Sequence, residues 1–153
     1  MILDSIKDLG FQHAGELLLQ DNKLQAVFTE HGTQVTPGVY CWVAVDTARD
    51  ATVIYVGKFG GTLPKRLNEH AGGFRGGSTS GIKKADHVTR CIQEGQRVYI
   101  WARPSAQCKI SYVDVLGNTV ERNVSTETAD ERALIEWMSQ LHGKPVLNCT
   151  RGG

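Results

Sequence analysis

The sequence predicts a mixed α/β domain of the α+β type, and three observations carry that prediction. Residues 38–45 alternate strictly, residues 52–57 return an apolar run across a short polar turn, and residues 97–103 alternate again, so three core strands are expected. Residues 62–71, 82–94 and 128–142 instead carry helical signals, spaced apolar residues or helix-ending glycines. The chain has 153 residues, 41% of them hydrophobic and 22% charged, which suits one domain around one core.

Taken in order, residues 5–9 predict a short helix ended by Gly10, and residues 16–29 a hairpin that turns at Asp21-Asn22. Residues 30–37 are polar and close on Pro37, so a loop is expected there. In the first core strand Val39, Cys41, Val43 and Val45 share one face, while Tyr40, Trp42 and Ala44 share the other. Pro64 fits the first turn of the helix 62–71, where no amide donor is needed, and Gly72-Gly73 end it. The stretch 72–81 holds five glycines and three Ser/Thr and predicts a mobile loop. Ala85, Val88 and Ile92 define the next helix, stopped by Gly95. Val98, Ile100 and Ala102 line one face of the third core strand. Residues 109–124 predict a hairpin turning at Gly117-Asn118, and the helix 128–142 leads through Gly143 and Pro145 into a short tail.

Composition narrows the function classes. The net charge of +1 argues against a chain coated all round by nucleic acid. Any such partner must meet a local patch, drawn from Arg66, Arg75, Lys83, Lys84, Arg90 and Arg132. None of Cys41, Cys91, Cys108 and Cys149 falls in a Cys-x-x-Cys pair, so a zinc site and a disulfide framework are not expected. Cys41 and Cys91 read as small core residues. Met1-Ile2-Leu3-Asp4 lacks the basic start and apolar run of a signal peptide, and a cytoplasmic protein is expected. The glycines of 57–61 and 72–78 are not followed by the Lys-Ser/Thr of a phosphate loop, which excludes a nucleotide-triphosphate site of that kind.

One ordered set of residues carries chemistry. Gly38-Val39-Tyr40 and Tyr55-Val56-Gly57 sit in the first two core strands; Arg66 and His70 follow four apart on one helix face; Glu131 and Asn148 come later. Gly57 permits close backbone approach at the end of its strand. Leu63 and Leu67 anchor their helix, so Arg66 flanks the buried stripe, where its planar guanidinium suits a phosphate oxygen. His70 could orient water or protonate a leaving oxygen near neutral pH. Thr128-Ala129-Asp130-Glu131 fits a capping box with Glu131 at the third helical position, yet Glu131 also falls inside the apolar arc of Leu134, Ile135 and Met138. Glu136 is the rival carboxylate and projects toward solvent. Trp42, Trp101 and Trp137 read as core.

This ordered set, from about residue 37 to residue 150, resembles the GIY-YIG nuclease family, with valine in place of isoleucine in both tripeptides. The span from Thr128 through Lys144-Pro145 to Cys149-Thr150 is most like the end of its short restriction endonucleases. The resemblance implies a central three-stranded antiparallel sheet flanked by helices, with residues 1–36 as an N-terminal extension packed on a nuclease domain of residues 37–153. It implies metal-dependent hydrolysis of DNA to a 5′-phosphate and a 3′-hydroxyl. Tyr40 would be the base or water-orienting group, helped toward the phenolate by Lys58 or Arg66. Tyr55 would touch the attacking water or the phosphate, Arg66 and His70 would act on the phosphate and leaving oxygen, and Asn148 would brace the site. Glu131, with Glu136 second, would hold one Mg²⁺ or Mn²⁺. Lys58, Arg75, Lys83 and Lys84 are the candidate DNA contacts, with the loop 72–81 and both hairpins. Cutting both strands of double-stranded DNA from one site per chain favours a homodimer. A restriction role implies a cognate DNA methyltransferase and a bacterial, archaeal or phage origin. The alternatives are a repair or structure-specific nuclease of the same chemistry, and a non-catalytic nucleic-acid-binding module.

Overall fold

The structure, a computed structural model, describes residues 1–148; Cys149 and Thr150 lie outside the described residues. Its elements run α1 (Ile2–Asp8), β1 (Gln12–Gln20), β2 (Lys23–Phe28), α2 (Glu30–Gln34), β3 (Gly38–Val45), β4 (Ala51–Phe59) and α3 (Leu63–Gly72). A π-helical turn (Gly73–Gly77) follows, then α4 (Thr79–Gln93), β5 (Arg97–Pro104), β6 (Gln107–Val113), β7 (Thr119–Ser125) and α5 (Glu127–Leu141).

The expected three-stranded sheet is larger: five strands pair in the order β2-β1-β5-β3-β4, every pairing antiparallel. The N-terminal hairpin does not merely pack on the core. β1 hydrogen-bonds along β5, with Leu17 opposite Val98 and Gly15 opposite Ile100. The physical reason is the free flank of β5, whose unpaired amides would otherwise form an edge. Ala14 and Leu17 then extend the buried face.

Strand β3 is the centre of the molecule and is buried on both sides. Tyr40, Trp42 and Ala44 face a core closed by Leu63 and Leu67 of α3 and by Val88 and Cys91 of α4. Val39, Cys41 and Val43 face the opposite core, closed by Ile2 and Ile6 of α1 and by Leu134 and Met138 of α5. Each helix thus buries one stripe against one face of the sheet. The strand alternation read from the sequence holds, including Val98, Ile100 and Ala102 together on the α3–α4 side.

Three local expectations are corrected. The polar stretch after Thr29 forms α2, because the Thr29 hydroxyl caps it by accepting from the Gly32 amide. The glycine-rich stretch 72–81 is helical for most of its length rather than a mobile loop. Ser78 caps α4 by accepting from the Gly81 amide, and the Gly81 backbone lies directly on that of Gly73, where any Cβ would collide. Helix α5 starts at Glu127, so Glu131 is its fifth residue and not the partner of a Thr128 cap. The Thr128 hydroxyl instead accepts from Lys58 Nζ at 2.7 Å.

Strands β6 and β7 form a separate two-stranded sheet whose β6 residues are all exposed. The edge of β4 is covered by the C-terminal segment: Leu147 N–H donates to the Ile54 carbonyl, and Asn148 pairs with Val56. Cys41 and Cys91 are buried free thiols and Cys108 is an exposed one. Among the described residues no helix is long and apolar enough to cross a membrane.

Candidate active site

The site grows out of β3 and β4. Trp42 lies opposite Tyr55 and Tyr40 opposite Gly57, with the register slipping between Trp42 and Val43. Tyr40 and Tyr55 therefore point to the same face, their ring centres 5.9 Å apart. Gly57 is required by that packing, since a Cβ there would stand 2.5 Å from Cζ and the hydroxyl oxygen of Tyr40.

Helix α3 brings the next two groups. Thr62 caps it by accepting from the Lys65 amide, and Pro64 occupies its first turn. With Leu63 and Leu67 buried, Arg66 emerges half-buried beside the two phenols, and His70 is driven inside. His70 Nε2 lies 2.5 Å from the Tyr40 hydroxyl. Its ring meets Tyr55 and Trp42 edge-on and stacks near Phe74.

That burial sets the protonation of His70 and Tyr40. Burial first, then the charges of Arg66 and Lys84, push the His70 imidazole down to about pKa 3. His70 is therefore held in its neutral form at pH 7 and is nearly sealed from solvent. In a neutral ring Nε2 accepts from the Tyr40 O–H or donates to its oxygen, according to which ring nitrogen carries the proton. The nearby cations do not favour the phenolate outright. Burial and the neighbouring Tyr55 hold Tyr40 well above its ordinary range, and this outweighs the lowering by Arg66. Tyr55 is raised as well, chiefly by burial.

Glu131 comes from α5 past the edge of β4. It is half-buried, whereas Glu136 is exposed. Its carboxyl is raised by burial and lowered, in decreasing order, by Lys58, Arg66, Arg132 and Lys84, and it acts electrostatically on Tyr55. The carboxylate of residue 131 thus shares one neighbourhood with the phenol of residue 55 and the guanidinium of residue 66. Arg66 also pairs with Glu69 at 2.8 Å. Asn148 stands at the outer edge: its Oδ1 accepts from Val56 N–H and its Nδ2 donates to Val56 C=O, both at 2.8 Å. It clamps the residue between Tyr55 and Gly57.

A polar cleft of about 320 Å³ opens beside Arg66, lined by Lys58, Lys65, Arg66, Glu69 and Glu127 among others; Tyr40, Tyr55, His70 and Glu131 do not line it. Of the candidate DNA contacts, Lys58 lines this cleft and Lys84 lies over the Tyr55 ring at 4.5 Å. Arg75 and Lys83 are exposed on the π-helical turn and on α4. Lys84 was legible in the sequence as a candidate DNA contact, without its place beside Tyr55. Its signal is spacing: it precedes Val88 by four and Cys91 by seven, on the stripe of α4 that faces the core.

The chain is similar in fold to bacteriophage T4 EndoII. It superposes on a mutant of that protein with a TM-score of 0.68, over 96% of this chain and 98% of that one, at 20% identity. It also superposes on restriction endonuclease HPY188I in complex with product DNA, with a TM-score of 0.50, over 97% of this chain and 91% of that one, at 18% identity. No family model and no curated protein sequence matches the chain. At these identities the likeness is one of fold, and it covers the N-terminal hairpin as well as the core.

Proposed function

We propose that this chain is a divalent-metal-dependent DNA endonuclease of the GIY-YIG kind, acting as a restriction-type enzyme on double-stranded DNA. The observation that carries the reading is the gathering of Tyr40, Tyr55, Arg66 and His70 on one face of β3 and β4, with Glu131 of α5 in electrostatic reach of Tyr55 and Arg66. The folds of EndoII and of a restriction endonuclease bound to product DNA support it.

The donor set suits one hard cation. Among the described residues no group of three His, Cys, Asp or Glu stands together. A single carboxylate with waters and phosphate oxygens is the way Mg²⁺ or Mn²⁺ is commonly held. Glu131, half-buried among the charges of Lys58, Arg66, Arg132 and Lys84, is the residue that would hold it. When bound, such an ion supplies positive charge to the phosphate and to the departing oxygen.

The chain's own groups do the rest. The Tyr40 oxygen, remaining in its phenol form, accepts a hydrogen bond from the attacking water and orients it. This role never needs a free phenolate, which burial disfavours. Arg66 meets a non-bridging phosphate oxygen from the side opposite Glu69. Tyr55 holds the water or the phosphate in line. Two copies, each cutting one strand, would complete a double-strand break.

Plasmid DNA incubated with Mg²⁺ and the wild type, Tyr40→Phe, Glu131→Ala or Glu136→Ala protein tests this. Cutting by wild type and Glu136→Ala alone is expected, with discrete bands for a restriction role. Cutting retained by Glu131→Ala but lost in Glu136→Ala overturns the metal assignment. Cleavage confined to branched or damaged DNA moves the reading to repair.

A further inference from the structure

His70 sits in the last turn of α3, and a side chain from just beyond that helix packs against it. The chain runs past α3 into the π-helical turn with Gly72 and Gly73 both in right-handed helical geometry. This continuation places Phe74 four residues after His70, on the same helical face. The two rings lie nearly parallel, 21° apart, with their centres separated by 6.0 Å. Phe74 also tilts against Trp42 at 5.9 Å. Trp42 and Tyr55 meet the imidazole edge-on, at 5.0 and 5.4 Å. The imidazole is thus held between the strand aromatics and Phe74. Phe74 is half-buried and His70 buried, so Phe74 is the outer layer of the stack.

The segment around Phe74 has little else to fix it. Five of residues 72–81 are glycine, and Phe74 is the one large apolar side chain among them. Glycine lowers helix propensity, and Gly76 turns to a φ of +100°. A π-helical turn is itself rare and recurs at functional sites. Any apolar side chain would fill the space beside His70. A flat ring parallel to the imidazole also limits its rotation. That rotation decides whether Nε2 reaches the Tyr40 hydroxyl, as it does at 2.5 Å. The groups that face the imidazole are the phenols of Tyr40 and Tyr55 and the charges of Arg66 and Lys84. With water shut out, burial and the two cations keep the ring neutral.

We infer that Phe74 is a positioning residue of this site, whose ring holds the His70 imidazole in the orientation that meets Tyr40 and keeps water from it. The inference rests on the proposed nuclease reading and adds the π-helical turn to the groups that orient Tyr40.

The test compares wild type, Phe74→Ala, Phe74→Leu and Phe74→Tyr by two independent readouts. The first is an NMR titration of the His70 ring, assigned by the signal missing from His70→Gln. The second is single-turnover cleavage of plasmid DNA with Mg²⁺, set against affinity for the same DNA with Ca²⁺. In wild type and Phe74→Tyr the His70 ring should not titrate above about pH 4.5, whereas in Phe74→Ala its midpoint should rise above about pH 5. Cleavage by Phe74→Ala should fall at least about tenfold with affinity changed less than about twofold, and Phe74→Tyr should recover most of the rate. Phe74→Leu, which fills the space without a flat ring, should keep the wild-type Tm and still lose at least about threefold in rate. A wild-type titration and rate in Phe74→Ala overturns the inference. So does a rate loss with the titration unmoved, or a moved titration at the wild-type rate, since Phe74 then does not act through His70. A wild-type protein inert toward DNA with both Mg²⁺ and Mn²⁺ removes the nuclease reading and Phe74's part in cleavage, while the titration still decides whether Phe74 places His70.

Discussion

The Tyr40 hydroxyl and His70 Nε2 meet at 2.5 Å inside the protein, joining β3 to α3 by a single short hydrogen bond. Neither group can shed charge into water there, since Tyr40 is fully buried and His70 only 7% exposed. Burial raises the pKa of the phenol and lowers that of the imidazole, so both members are held in their neutral forms.

Removal of the phenol oxygen tests the role of Tyr40. Tyr40→Phe should lower cleavage by about 10²- to 10⁴-fold. It should cost only about 1 kcal/mol of stability, because the ring still fills its place and one ring nitrogen of His70 is left unpaired. Single-turnover rates and a urea melt read the two effects separately. A variant that cuts at the wild-type rate ends the role of Tyr40.

Acid should unfold the protein through His70. The unfolded imidazole has an ordinary pKa near 6.5 and the folded one is pushed down to about 3. Between those values the unfolded state binds the extra proton, so stability is fully present above about pH 6.5 and is lost as pH falls toward 3. The loss over that window is about 4 kcal/mol. Urea midpoints at pH 7, 5 and 4 should fall steeply for wild type and less for His70→Gln. Parallel slopes for the two proteins would contradict the burial of a neutral His70.

Gly57→Ala should displace the Tyr40 ring, because the new methyl would sit 2.5 Å from its hydroxyl end. A cost of about 1–3 kcal/mol is expected for such overpacking. Cleavage should fall about a hundredfold, since a shift of roughly an ångström breaks the Tyr40–His70 contact. A Tm and a rate both equal to wild type would show that the ring can yield without consequence.

Asn148→Ala frees both polar groups of Val56 on the outer edge of β4. The expected cost is about 1–3 kcal/mol, the penalty for losing a paired donor and acceptor. Hydrogen exchange at the Val56 amide should accelerate in step with the loss of stability. Unchanged protection at Val56 would show that Asn148 is not what closes this edge.

Much of the fold was readable from the strand pattern. The division of β3 into a Tyr40–Trp42–Ala44 face and a Val39–Cys41–Val43 face follows from alternation alone, and each face has its own core. The N-terminal hairpin was readable as a hairpin, whereas its place in the sheet was not. Joining β1 to β5 is a pairing across some 80 positions, and no local signal encodes it. The stretch 72–81 was misread because glycine lowers helix propensity. Here the missing side chains permit the Gly73–Gly81 contact instead.

By itself, the order of Gly, Tyr, Arg, His, Glu and Asn determined which side chains to examine and on which elements they ride. Position along a strand or helix decides direction, and that is a local property. The tertiary structure alone decided the protonation of those groups and their neighbours. It placed His70, read as a group to orient water or protonate a leaving oxygen, inside the protein with its pKa pushed down, and it moved Thr128 from a cap to the partner of Lys58. It also carried Lys84 over Tyr55. The reason is physical: burial and the charges of distant segments set a group's pKa and reach, and both exist only once the chain has packed.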